Sequence, residues 1–225
     1  MLQRMLVQCC TVLFVLACVQ SEKLYYNPRM IKAIPGKETV QFSQQKPDFC
    51  NKLDCPEFKV IDKQDGYEIR EYDASAWIST SLAGMDYNSA SRQMFQRLFD
   101  YIQGKNDKKQ KIDMTAPVII RLIPGPGPAC ESNFTMSFYM SNSISDPPQP
   151  TDPTVFLEQA PVFRAYVRQF GGYIVKIEDW VNEAQQLIKA INNPSVYVSD
   201  YYYTAGYNSP FQIFNRHNEI WFLAK

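Results

Sequence analysis

The chain has 225 residues, 23 basic and 23 acidic side chains and one histidine, so its formal charge is zero. That balance argues against a nucleic-acid binder, which carries a basic surplus on one face, and against electrostatic docking on an anionic membrane, which needs a polybasic cluster. Hydrophobic residues at 45% and aromatics at 14% describe a globular chain long enough for one sizeable core and rich in residues that suit sheets or an aromatic-lined pocket.

Residues 1–21 carry Arg4 and then an apolar run ending in small residues, with Val19 and Ser21 at the −3 and −1 positions of a cleavage site. This is the pattern of a secretory signal peptide, and the run is short of the roughly 20 apolar residues that span a bilayer. The mature chain is then expected to start near Glu22 and to be secreted. Cys9, Cys10 and Cys18 lie in the leader, which leaves Cys50, Cys55 and Cys130. In an oxidising compartment one pair should close. The short separation favours Cys50 with Cys55, while a bridge from Cys130 to either stays open. Residues 22–54 are polar, carry Pro28, Pro35 and Pro47, and read as a loosely ordered arm.

From residue 58 the pattern alternates with period two: strands are expected over 58–62, 67–72 and 76–80, with Gln64-Asp65-Gly66 as a tight turn. A helix follows over 88–106, with a polar start at Asn88 and Ser89 and a stop at Gly104. Ala90, Met94, Leu98, Tyr101 and Ile102 form one apolar stripe, and Phe95 and Phe99 form a second. One sheet face needs only the first stripe. The phenylalanines therefore either fill core or pack under a loop, or they line a hydrophobic ligand site. Strands over 118–123 and 134–140 flank a stiff loop of alternating Pro and Gly, and Asn133-Phe134-Thr135 is an N-glycosylation acceptor. Strands over 155–158 and 163–170, a break at Gly171-Gly172, a helix over about 177–191 ended by Pro194, and strands over 196–204 and 219–224 complete the chain. The order strand, helix, strand, strand thus occurs twice. It predicts an α+β fold: a curved, barrel-like antiparallel sheet from a duplicated unit, with two helices packed outside.

The run YIQGKNDKKQKIDMTAPV (residues 101–118), with residues 67–72, 202–210 and 218–221, resembles the SOUL haem-binding protein family in the family's order, and the likeness covers residues 55–225. The resemblance implies the same barrel-like architecture and a bound haem or porphyrin between the first helix and the loop before the last strand. By position the helix contacts carry over to Arg92, Phe95 and Phe99. These fall at i, i+3 and i+7 and share a face, with Arg92 available to a propionate. His217 lies in the loop, read either as a surface histidine or as an axial ligand to iron through neutral imidazole. Met114 and the tyrosines 201–203 are other conceivable ligands. Some haem-binding relatives carry Lys where this chain has Asp100 and Gln212, which implies weaker propionate capture.

Chemistry beyond binding has little support. One histidine cannot build a His-rich metal site, and no P-loop, dinucleotide fingerprint or Gly-x-Ser-x-Gly elbow is present. Glu68, Glu71 and Asp73 read as a solvated face. The expectation is a secreted, non-enzymatic tetrapyrrole carrier or buffer without stable membrane insertion. The alternative is an extracellular module for another apolar small ligand or a protein partner.

Overall fold

The computed structural model describes residues 46–84, 86–125 and 132–225. The leader, most of the arm and Cys130 lie outside the described residues. Nine strands form one antiparallel sheet: β1 (Phe58–Gln64), β2 (Tyr67–Tyr72), β3 (Ser75–Gly84), β4 (Val118–Ile123), β5 (Ser132–Met140), β6 (Val155–Ala160), β7 (Phe163–Phe170), β8 (Tyr202–Gly206) and β9 (Asn218–Leu223). Helix α1 (Tyr87–Ile102) follows β3, and α2 (Ile177–Ile191) follows β7.

The strand order is β1-β2-β7-β9-β8-β4-β5-β3-β6, open at β1 and β6. Exchanging β2, β3, β4 and β5 with β6, β7, β8 and β9 and reversing the direction returns the same order, with β1 as the single addition. The sheet is therefore built from two related halves that meet at the β8–β4 pair, where Ile120 faces Thr204. Each half is strand, strand, helix, strand, strand, with one more strand before the helix than the sequence reading assigns to the repeat. Each half also lends a strand to the other, as β2 pairs with β7 and β3 with β6.

Period-two alternation sorts the strand residues onto two faces, and each face has its own core. On one face α1 packs on β3 and β5, and α2 packs on β7, β9 and β2. Met94, Leu98 and Leu187 from the helices meet Ile78, Phe134, Phe138, Ile220 and Phe222 from the strands. The other face carries Tyr72, Trp77, Tyr139, Val167, Tyr207 and Trp221, covered by Phe49, Cys50, Leu53 and Phe58. Fully burying each such large apolar side chain contributes about 1.5–3 kcal/mol. The cover is a 3₁₀ turn at Asp48–Cys50 closed by the Cys50–Cys55 disulfide. The end of the arm read as loose is thus packed structure.

Local signals explain most boundaries. Asp86 caps α1, its carboxylate accepting from the Ser89 N–H, so the helix starts just before Asn88. It ends at Ile102, where Gly104 takes φ 106°, a conformation open to glycine at low cost. The eighth strand is shorter and later than its apolar run suggests. Residues 196–200 touch the C-terminal strand at the single Tyr197–Ala224 bridge, and the Ser199-Asp200 step breaks the ladder before β8 begins.

Candidate functional site

Phe95 and Phe99 stand on the outer side of α1. Each is more than a third exposed, while Met94 and Leu98 beside them are fully buried. The two rings stack with centroids 5.8 Å apart and planes 15° from parallel, and Phe95 also leans on Phe138 of β5 at 5.3 Å. A stacked pair that rests on the core at Phe138 and is more than a third exposed forms an apolar shelf on α1. Arg92 is exposed one turn earlier, and among the described residues it has no ion pair or hydrogen bond. At the other end Asp100 accepts from Lys105 Nζ at 2.6 Å and Gln96 Nε2 at 2.9 Å, and these bonds hold its carboxyl below the usual range. The shelf therefore has the Arg92 cation at one end and, at the other, a carboxylate already paired with Lys105.

His217 is placed elsewhere. Its ring stacks on Phe49 at 4.0 Å with planes 1° apart, and Tyr207 meets it edge-on at 5.0 Å. Its Nε2 is 2.7 Å from Glu219 Oε1. The structure brings Arg92, Phe95 and Phe99 together on α1 but puts His217 in the second core, against the disulfide-closed cover. Through Nε2 this histidine helps to order Glu219, and its ring is packed between Phe49 and Tyr207. Arg92, Phe95 and Phe99 have the chemistry to meet a propionate and the apolar body of a tetrapyrrole. Among the described residues no cluster of three or more His, Cys, Asp or Glu side chains is placed to hold a metal ion.

Sequence reasoning missed the centre of this second core. Arg70 and Glu219 are both 0% exposed. Arg70 Nη1 donates to Glu219 Oε1 at 3.0 Å and Nε to Glu68 Oε2 at 2.9 Å, while its guanidinium lies 4.3 Å from the centre of the Phe58 ring. Tyr207 Oη and Trp221 Nε1 both donate to Glu219 Oε2, at 2.9 and 2.7 Å. Burial alone would raise the Glu219 pKa, but Arg70, His217 and Trp221 outweigh it and hold the carboxyl below its ordinary value. Glu68, read as part of a solvated face, is partly buried and bridges Lys63 to Arg70.

A cavity of about 510 Å³ opens between the disulfide-closed segment and residues 110–115. Lys52, Asp54, Lys111, Met114 and Ser141 line it, and none of Arg92, Phe95, Phe99 or His217 does. Met114 thus faces a mixed polar cleft, apart from the aromatic shelf.

Comparison with known proteins gives this duplicated, helix-backed open sheet its class. The model of the SOUL heme-binding protein family matches residues 53–223, so the chain belongs to this family. Over 163 residues it is 43% identical to heme-binding protein 2 of Homo sapiens, covering 71% of this chain and 78% of that one. Over 187 residues it is 34% identical to heme-binding protein 1 of Xenopus laevis, covering 81% and 98%. Among solved structures, a chain of the EcmrR–DNA complex superposes with a TM-score of 0.52 at 8% identity, over 71% of this chain and 57% of that one, a likeness of fold alone.

Proposed function

We propose that this chain is a secreted, non-enzymatic carrier or buffer of haem or porphyrin that binds the macrocycle on the α1 shelf. The observation that carries the reading is the stacked, partly exposed Phe95–Phe99 pair with Arg92, unpaired among the described residues, one turn away. The family's relatives are named as heme-binding proteins, which supports a tetrapyrrole as the ligand. An apolar macrocycle laid on two aromatic faces gains on the order of 25 cal/mol per Å² of apolar surface removed from water, and Arg92 is placed to meet a propionate. Asp100 and Gln212 supply no cation for the second propionate, so binding should be micromolar, roughly −8 kcal/mol. Secretion is supported by the apolar leader and by the Cys50–Cys55 disulfide, which suits an oxidising compartment. Among the described residues no helix is long and apolar enough to cross a membrane.

The test is a pair of titrations, haemin and metal-free protoporphyrin, on the wild type and on Phe95→Ala/Phe99→Ala. The two ligands should bind with similar affinity, because the gain is apolar, and the double variant should lose both together. Wild type that binds neither would leave the alternative, a module for another apolar ligand or a protein partner. A double variant that binds as well as wild type would move the site off α1.

A further inference from the structure

The loop between β8 and β9 carries the most exposed apolar side chains among the described residues: Phe211 at 91%, Ile213 at 66% and Phe214 at 80%. Three such residues within four positions are costly in water unless they meet something. The loop beneath them is built, since Gln212 Nε2 donates to the carbonyls of Phe214 and Asn215. Arg216 donates to the carbonyls of Ser209 and Gln212 through Nη1, and to that of Asn208 through Nη2. Two side chains thus satisfy five backbone carbonyls from within. A loop entering an apolar phase must keep its backbone groups bonded, because each one left unpaired there costs several kcal/mol. This loop has met much of that requirement in advance while turning its apolar side chains outward.

The surroundings suit the same partner. The Arg216 guanidinium lies 4.6 Å from the centre of the Tyr173 ring, which joins the loop to the exposed Tyr173 and Val175 of the segment after β7. A tyrosine flanking a cluster of apolar tips is the arrangement found at the boundary between acyl chains and headgroups. Residues 170–177 and 201–217 contain no acidic residue, so these segments carry no carboxylate toward the headgroups.

We propose that the β8–β9 loop is a wedge by which the folded protein docks reversibly on a phospholipid surface, Phe211, Ile213 and Phe214 entering the headgroup–acyl boundary. The contact is apolar in origin, so it does not need the polybasic cluster that the sequence lacks.

The experiment uses ligand-free full-length protein and phosphatidylcholine vesicles, so its outcome is separate from tetrapyrrole binding. Wild type should float with vesicles, and Phe211→Ser/Ile213→Ser/Phe214→Ser should lower vesicle affinity at least about tenfold with the near-ultraviolet dichroism unchanged. Trp77, Trp180 and Trp221 are all buried, so Phe214→Trp adds an exposed reporter. Its emission should shift to the blue and be quenched by brominated acyl chains, a readout independent of whether the triple variant folds. Failure of wild type to float, equal binding by the triple variant, or an unquenched Trp at 214 overturns the proposal. A triple variant that loses tetrapyrrole affinity with vesicle binding unmoved would assign the loop to the ligand site. Loss of a concentration-dependent dimer, again with vesicle binding unmoved, would assign it to a second copy.

Discussion

Arg70 and Glu219 are 149 positions apart in the chain and meet at 3.0 Å with neither side chain more than 1% exposed. The pair joins β2 of one half to β9 of the other through the intervening β7. Removing one partner strands the other as a buried charge, which costs about 3–5 kcal/mol. Arg70→Met and Glu219→Leu should each lower the melting temperature by roughly 10 °C, at about 2–4 °C per kcal/mol for a domain of this size. The double variant should lose less than the sum of the singles, because the second change removes the charge that the first left stranded. Strict additivity in denaturant unfolding would mean that the two groups are not coupled.

The same pair sets an acid limb. The Glu219 carboxyl is held below its ordinary value of 4.5, so its contribution is fully present above that pH and is lost as pH falls through the lower, folded value. Glu68, also held low although burial opposes it, acts in the same direction through Lys63 and Arg70. Stability measured at stepped pH should therefore fall below about 4.5, and Glu219→Gln should flatten that fall while lowering the plateau at neutral pH. An acid limb as steep in the variant as in wild type would place the linkage on other carboxylates.

The disulfide closes a short loop whose main task is to seat the cover on the second core. By the chain-entropy relation a loop of this size contributes about 2 kcal/mol. Cys50→Ser should cost about that much, plus whatever Phe49 loses in contact with His217 and Tyr207. Peptide mapping without reductant should return Cys50 joined to Cys55, with Cys130 unpaired. Cys130 bridged to either partner would overturn the assignment.

Much of the fold was legible because its signals are local. The Phe58–Gln64 and Tyr67–Tyr72 hairpin follows from alternation around Gln64-Asp65-Gly66, and Trp180, Ala184 and Leu187 recur at helical spacing. The Phe95–Phe99 surplus stripe was legible for the same reason. Arg70 with Glu219 was not, since nothing local tells a buried arginine on a strand from an exposed one; only the strand order brings them together. His217 shows the same limit. Its neighbours in sequence suggest a surface loop, yet Phe49, from a segment read as a loose arm, covers one face of its ring.

Export and glycosylation can be read on one sample. The secreted protein should begin near Glu22, because residues 1–21 have the charge and apolar pattern of a leader. Asn133 is exposed on β5, while Thr135 of its acceptor is buried and bonded to Ser81. The acceptor thus lies within a strand paired on both sides, at Ala83 and Ile123, so a glycan would be added before the sheet closes. Enzymatic deglycosylation should lower the mass of the secreted protein, and Asn133→Gln should abolish that change. A chain that keeps Met1, or a mass that deglycosylation leaves unmoved, would count against the respective half of this expectation.

Asp100 offers the sharpest test of charge at the shelf. It sits one residue beyond Phe99, and its carboxylate is held by Lys105 and Gln96. Asp100→Lys removes a repulsion toward a propionate and adds an attraction. Exposed charge pairs contribute about 0.2–1 kcal/mol each, so haemin and protoporphyrin affinity should rise about three- to tenfold. The gain should shrink as salt is raised, since exposed charges are screened over about 10 Å at 0.1 M ionic strength. Protoporphyrin dimethyl ester keeps the apolar ring and lacks both carboxylates, so its affinity should not change. An equal gain for the ester would show that the lysine stem adds apolar contact and that charge has no part in it. No gain for either ligand, with Phe95→Ala/Phe99→Ala still harmful, would place both propionates at the Arg92 end of the shelf.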